Sequence, residues 1–162
     1  MEGIIINSLD FPVLTVTTFL PLAGALLILL IRNDMLIKWI ALVTTVATFI
    51  ISLPIYTHFD KTTYKMQFVE IHPWIPAWNI NYIVGVDGIS VLFIILVTIL
   101  STLCVSVSWK SIQEKTKEFF ISLLIMETAM IGVFVSLNIF LFYLFWELTL
   151  IPMFLLIGIW GG

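Results

Sequence analysis

The chain alternates long apolar runs with short polar segments, and five of the runs are long enough to cross a bilayer as helices. A helix rises about 1.5 Å per residue and a bilayer core is about 30 Å thick, so about 20 apolar residues suffice. The predicted spans are residues 11–31, 36–55, 88–108, 119–136 and 139–160. The pattern therefore predicts an all-α polytopic membrane protein with about five transmembrane helices.

The long polar segment at residues 56–83, between the second and third spans, predicts a short β-hairpin. Residues 65–71 and 79–83 alternate apolar and polar positions, as strands do, and Pro73 and Pro76 lie between them. Tryptophan and tyrosine in this loop favour the membrane–water interface. We expect the hairpin to lie on the membrane surface, outside the cell.

The spans fall into two groups. Residues 1–117 hold three spans and the loop 56–83, whereas residues 118–162 form a helical hairpin, because only Leu137 and Asn138 separate the last two spans. Asp87 precedes the third span, where its carboxylate is better placed to cap a helix than to carry protons. A stripe of small, weakly polar residues in the second span is typical of a close helix contact rather than a site: Ala41, Thr45, Thr48 and Ser52.

Composition places the chain in a membrane and argues against a bound redox centre. Hydrophobic residues make up 61% of the chain and charged residues 10%, against about 25% charged in soluble domains. The single cysteine cannot hold an iron–sulfur cluster, which normally takes four. His58 and His72 share one polar loop, which does not suit a haem, and no glycine-rich phosphate loop joins a strand to a helix. No cofactor or nucleic-acid partner is predicted for this chain.

The distribution of lysine and arginine predicts the orientation. The first and third loops and their edges carry five of the seven basic residues, Arg32, Lys38, Lys110, Lys115 and Lys117. Cytoplasmic loops are enriched in these residues. The amino terminus is therefore predicted to lie outside, in a bacterial inner membrane.

Two glutamates interrupt the apolar runs of the last two spans. Glu127 and Glu147 each lie ten residues from Leu137, so in a hairpin both sit about 15 Å below the turn. If their faces turn toward each other, the carboxyls meet directly or through water. Ala129, Gly132 and Ser136 line the side of the fourth span opposite Glu127, so both sides of that helix are expected to face protein.

Glu147 has a second unusual feature nearby. Pro152 removes the hydrogen bond that the Leu148 carbonyl would accept. That free carbonyl, with the Thr149 hydroxyl, is expected to hold water beside Glu147.

These carboxyls have two interpretations. A buried carboxyl favours its neutral form and a nearby cation favours its charged form, so Glu147, and more weakly Glu127, is a candidate proton relay. Alternatively, both stay protonated and hydrogen-bonded and only hold helices together. No lysine or arginine lies in the middle of these spans, so a deep cationic partner is missing from this chain.

Several motifs resemble one family, the subunit M family of NADH-quinone oxidoreductase (respiratory complex I), whose mitochondrial counterpart is subunit 4. The motifs are Val84-Gly-Val-Asp-Gly-Ile-Ser, Ser108-Trp-Lys, Ile131-Gly-Val-Phe, Phe145-Trp-Glu-Leu-Thr-Leu-Ile-Pro-Met-Phe and Trp160-Gly. The resemblance implies a partial antiporter-like fold in a proton-translocating subunit. It also implies that Glu147 matches the family's essential fifth-helix glutamate, which pairs with a lysine on a later helix.

The resemblance carries further expectations. NADH, FMN, iron–sulfur clusters and quinone belong to the parent complex, and the partners are the antiporter-like sibling subunits and the lipid bilayer. Family members have many more spans, so the chain is expected to be an amino-terminal fragment with a truncated proton-translocating repeat. Two alternatives stay open: a subunit of an Mrp-type cation/proton antiporter, and a non-catalytic membrane assembly element.

Overall fold

In the computed structural model, which describes residues 3–161, five helices form a bundle with a small β-sheet at one end. The helices are α1 (Val13–Leu29), α2 (Asp34–Thr57), α3 (Gly88–Ser111), α4 (Thr116–Val135) and α5 (Ile139–Trp160). The strands are β1 (Ile4–Ile6), β2 (Met66–Ile75) and β3 (Ile80–Val86). The helical architecture and the hairpin in the second loop are confirmed.

The helix lengths agree with a membrane protein. Within residues 3–161, four helices, α2 to α5, are long and apolar enough to cross a bilayer. The first helix, α1, has 17 residues, about 26 Å at 1.5 Å per residue, and is shorter than the predicted span 11–31. It is shorter because Phe11 and Pro12 precede it and Leu30 and Ile31 close a tight turn onto the carbonyls of Leu27 and Ile28.

Local side chains explain where three of the helices begin. The Asp87 carboxylate accepts from the Ser90 amide at 2.8 Å, so its predicted role as the cap of α3 is confirmed. Asn33 and Asn138 cap α2 and α5 in the same way, each accepting from two amides of the first turn. Such a cap stabilises a helix by about 1 kcal/mol because it satisfies amides that lack an intrahelical partner.

The sheet is larger than the sequence predicted. Residues 4–6, which precede the first predicted span, form β1 and pair in parallel with β2. Three isoleucines in a row show no alternation, so periodicity could not identify this strand. The Leu137 amide donates to the Ile83 carbonyl at 2.9 Å, which joins the α4–α5 turn to the sheet. The sheet and this turn therefore lie at the same end of the bundle.

Helix α4 occupies the centre of the bundle, where it contacts the other four helices. Close approach between α1 and α2 depends on Gly24, since a Cβ there would come within 2.6 Å of Thr44. The predicted contact stripe of α2 is buried, which confirms its role in packing: Ala41, Thr45, Thr48 and Ser52. Helix α5 packs on α4 but remains mostly exposed, with 17% of its apolar stretch buried, against 56% for α4.

Candidate functional site

Glu147 lies in the third turn of α5 and its side chain is exposed on the surface of the bundle. It is eight residues from the start of the helix, which places it about 12 Å along the helix axis. A carboxyl at this position in a span is surrounded by apolar residues of its own helix. It therefore faces lipid, or protein that lies outside residues 3–161.

The orientation of Glu147 follows from one close helix contact. The ring of Phe145 packs directly on Gly132 of α4, in the space that a Cβ at position 132 would need. Leu141 and Pro152, also buried, lie on the same face of α5 as Phe145. Successive residues turn by about 100° around a helix, so Glu147, two positions after Phe145, points to the opposite side.

The outward face of α5 carries Tyr143 and Phe154 together with Glu147. Tyr143 is 55% exposed and lies one turn before Glu147, and Phe154 is 76% exposed two turns after it. Tyr143 was not among the predicted site residues, although its spacing of four residues from Glu147 is the signal that places both on one face. The outward face is thus apolar except for one carboxyl and one phenol.

The helix break beside Glu147 bears on the predicted water site. Pro152 is buried and leaves the Leu148 carbonyl without an intrahelical donor. The Thr149 hydroxyl, expected to hold water near Glu147, donates to the Trp146 carbonyl at 2.6 Å. Two residues of helical rotation also turn Thr149 away from Glu147. The joint water site therefore stays a prediction, in which Thr149 can act only as an acceptor.

Glu127 occupies the opposite environment, deep in the bundle. Its side chain is 1% exposed, and neither carboxylate oxygen has a hydrogen-bond partner within residues 3–161. Ala129 and Gly132 on the far side of α4 are also buried, so the expectation that both sides of this helix face protein is confirmed. A direct contact between Glu127 and Glu147 is not observed, because Glu127 points into the bundle and Glu147 points out of it.

Glu127 belongs to a polar layer that crosses the middle of the bundle. One hydrophobic cluster lies near the sheet and includes Leu14 and Ile131, and a second lies at the other end and includes Ile28 and Phe120. Between them four helices bury polar side chains: Thr17 and Thr18 of α1, Thr44, Thr45, Thr48 and Ser52 of α2, Thr98 and Ser101 of α3, and Glu127 and Thr128 of α4. The layer therefore separates the two hydrophobic clusters of the bundle.

The hydrogen bonding of this layer is incomplete. Thr18, Thr48 and Thr98 donate to carbonyls of their own helices, at 2.7 to 2.8 Å. The hydroxyls of Thr17 and Thr128, like the Glu127 carboxyl, have no partner among the described residues. Buried polar groups nearly always have partners, and an unsatisfied one costs about 1–3 kcal/mol. Pro21 leaves one more polar group of this layer without its partner in the helix, because a proline has no N–H to donate to the Thr17 carbonyl.

A second buried carboxylate, Glu70 of β2, has full partners. It accepts from the Leu14 amide at 2.9 Å and from the Thr15 hydroxyl at 2.7 Å. It therefore caps α1, for which Pro12 offers no capping side chain. Glu70 was not among the predicted site residues. The missing cap at the start of α1 is the signal that could have pointed to a distant partner.

Tyr82 joins the same network, because its hydroxyl lies 2.9 Å from that of Thr15. Burial raises the pKa of the Tyr82 phenol above its ordinary value of 10.0; the hydrogen bond to Thr15 opposes this rise and the charge of Glu70 adds to it. His72, beside the Tyr82 ring, is exposed. No three His, Cys, Asp or Glu side chains converge on a possible metal site in residues 3–161.

Comparison with known proteins identifies relatives over most of the chain. No family model matches the sequence. NADH-quinone oxidoreductase subunit M of Rhodobacter capsulatus is 46% identical over 92% of this chain and 30% of its own length. NADH-ubiquinone oxidoreductase chain 4 of Marchantia polymorpha is 45% identical over 88% of this chain and 29% of its own length. The chain thus spans about three tenths of the curated relatives it matches.

Two solved structures share the fold. Respiratory complex I from Thermus thermophilus with bound NADH superposes with a TM-score of 0.74 at 23% identity, over 92% of this chain and 29% of the matched chain. An archaeal membrane-bound sulfane sulfur reductase gives 0.74 at 17% identity, over 90% and 23%. Because two different respiratory complexes share this fold, the fold alone does not identify the family of the chain. The curated relatives do, through their sequence identity. This integral membrane chain belongs to the family of NADH-quinone oxidoreductase subunit M and NADH-ubiquinone oxidoreductase chain 4.

Proposed function

We propose that the chain is part of a proton-translocating membrane-arm subunit of NADH:quinone oxidoreductase, in which Glu147 carries the proton. Electron transfer from NADH to quinone takes place in other subunits of the complex, which hold the FMN and the iron–sulfur clusters. In this chain residues 118–162 open the proton-translocating repeat. The relatives named above support the reaction, and the geometry of α5 supports the residue.

The position of Glu147 is the observation that carries this proposal. An ionisable side chain at the centre of a span costs a few kcal/mol and is usually functional. Glu147 is turned away from its own bundle by the Phe145–Gly132 contact. An outward carboxyl of this kind is stabilised if another helix brings a cation to it. The sequence of this chain has no lysine or arginine in the middle of a span.

The proposed mechanism requires only a movable cation. While a lysine or arginine from another helix lies close, Glu147 stays charged. When the cation moves away, the carboxyl takes up a proton, and the return of the cation releases it. The Leu148 carbonyl, free because of Pro152, is a hydrogen-bond acceptor for water that brings the proton to this point.

Glu127 is proposed as a second, subordinate proton carrier. Its carboxyl lies in a buried layer with the hydroxyls of Thr17 and Thr128, which have no hydrogen-bond partner among residues 3–161. A carboxyl that exchanges a proton needs neighbours that accept and donate hydrogen bonds in both of its states, and hydroxyls do both. If Glu127 only joins helices, Glu127→Gln leaves pumping unchanged. We expect a partial loss of pumping with the complex still assembled.

The setting of the chain is part of the same proposal. Its partners are other membrane-arm subunits, including the antiporter-like siblings, and the surrounding lipid. We place the protein in a bacterial inner membrane with its amino terminus outside, because the basic residues collect at the end opposite the sheet. The curated relatives are named as subunits of NADH-quinone or NADH-ubiquinone oxidoreductase, which favours the proposed oxidoreductase subunit over a subunit of an Mrp-type antiporter.

The test uses the complete complex in membranes. Glu147→Gln keeps the size and hydrogen bonding of the side chain but cannot exchange a proton. We expect it to abolish proton pumping driven by NADH oxidation in an assembled complex. Glu118→Gln is the matched control, since Glu118 is exposed in the first turn of α4. Normal pumping with Glu147→Gln would reject the relay and leave an assembly role for this residue.

A further inference from the structure

The end of the bundle opposite the sheet has a groove between α2 and α3 that suits a lipid. Its volume is about 510 Å³, and it is lined by Trp39, Leu42, Ser106, Val107, Trp109 and Lys110. These residues lie in the first turns of α2 and the last turns of α3. The groove therefore opens at the depth where a bilayer changes from acyl chains to headgroups.

Two tryptophans form one wall of this groove. The rings of Trp39 and Trp109 meet edge to face, with 5.1 Å between centroids and 82° between planes. Trp39 is still 52% exposed. Tryptophan is enriched at membrane interfaces, where its ring packs on apolar chains and its N–H reaches polar groups. The pair gives the groove a rigid apolar side at headgroup level.

Beyond the groove, residues at helical spacing extend its apolar surface along both helices toward the membrane centre. On α2, Val46 lies one turn beyond Leu42, and on α3, Leu103 lies one turn before Val107. All four side chains are at least partly exposed. This exposed, apolar track leads away from the tryptophan pair along the helix axes, which is the direction an acyl chain takes in a bilayer.

The positive charge at this end of the bundle favours a lipid with an anionic headgroup. Lys110 lines the groove and is one of five basic residues near the membrane edge here, with Arg32, Lys38, Lys115 and Lys117. Three acidic residues, Asp34, Glu114 and Glu118, lie at the same end, so a positive excess remains. At the opposite end the acidic residues Asp10, Asp60, Glu70 and Asp87 outnumber Lys61 and Lys65.

We propose that the α2–α3 groove binds an anionic phospholipid, with its phosphate at Lys110 and one acyl chain against Trp39, Leu42 and Val107. Basic pockets between transmembrane helices bind anionic lipid headgroups. The apolar track distinguishes a lipid from a free anion, and the lysine distinguishes an anionic lipid from a zwitterionic one. This site is independent of the carboxyls of α4 and α5.

The test is photo-crosslinking of the complete complex in nanodiscs with lipids that carry a photoreactive acyl chain. Phosphatidylglycerol should label peptides of α2 and α3 around Trp39 and Val107 more than phosphatidylcholine does. Lys110→Gln should reduce this preference about fivefold, as expected for one lysine at a charged surface. Lys61→Gln, at the opposite end, is the matched control and should leave it unchanged.

Three outcomes would overturn the proposal. Equal labelling by the two lipids would remove the role of charge, and labelling by neither would mean that protein covers the groove. Loss of labelling when excess inorganic phosphate is present during crosslinking, at constant ionic strength, would assign the site to free anions. Trp39→Leu gives a second check because it keeps the charge and removes the aromatic wall. It should weaken labelling by both lipids.

Discussion

The ring of Phe145 lies on the backbone of Gly132, and this contact determines where Glu147 points. The absence of a side chain at position 132 allows α5 to pack closely on α4 with Phe145 between them. Because Glu147 follows Phe145 by two residues, it is turned to the far side of the helix. A packing contact without polar atoms thus presents the carboxyl to the surroundings of the bundle.

Gly132→Ala tests this contact. The added Cβ would overlap the Phe145 ring, and overpacking of a tight contact costs about 1–3 kcal/mol. We therefore expect a lower thermal unfolding temperature for the protein in detergent. Gly158→Ala is the matched control, since no heavy atom lies within 4 Å of the position of its Cβ. Its effect should be neutral or stabilising by up to about 1 kcal/mol, because alanine favours helix. Equal effects of the two substitutions would contradict the account.

The two buried carboxyls should respond in opposite directions to replacement by leucine. Glu127 has no partner among the described residues, so Glu127→Leu should be neutral or raise the free energy of unfolding by about 1–3 kcal/mol. Glu70 caps α1 through Leu14 and Thr15, so Glu70→Leu should lower it by about 1–2 kcal/mol. Denaturation in detergent measures both. A large loss of stability in Glu127→Leu would mean that Glu127 does have a structural partner.

Tyr82 should make stability depend on pH in the alkaline range. Its pKa in the folded state is raised above 10.0, chiefly by burial, so the folded protein holds the phenolic proton more tightly than the unfolded chain does. The resulting stability is complete below pH 10 and is lost as the pH rises from 10 through the folded-state pKa. Tyr82→Phe should flatten this loss, as measured by unfolding temperature against pH. Tyr64→Phe, at a ring that is 89% exposed, is the control. An unchanged slope in Tyr82→Phe would contradict the prediction.

The elements that local sequence determines were predictable. Asp87 caps the helix that follows it because the donor amide of Ser90 lies three residues from the acceptor. The bounds of α2 to α5 lie within three residues of the predicted ones, because apolar length and flanking polar residues define a span. Alternation likewise identified β2 and β3. These predictions needed no information about distant parts of the chain.

Long-range contacts explain the parts that were missed. Glu70 reaches α1 across 55 to 56 residues of sequence, and no local pattern records such a contact. The sequence also could not predict which face of α5 packs on the bundle, because the helix is apolar on all sides and its periodicity indicates no preferred face. Glu127 and Glu147 were predicted to lie at one depth, but the direction in which Glu147 points depends on the contact of Phe145 with Gly132.

The measurement that tests the central claim most directly is infrared difference spectroscopy of the complete complex in membranes as NADH is added. If Glu147 gains and loses a proton during turnover, a carboxylic-acid band should change on NADH addition. That change should be absent in Glu147→Gln and retained in Glu118→Gln. A carboxyl-region spectrum identical in the wild-type protein and Glu147→Gln would contradict the claim, because the protonation state of Glu147 would then not change during catalysis.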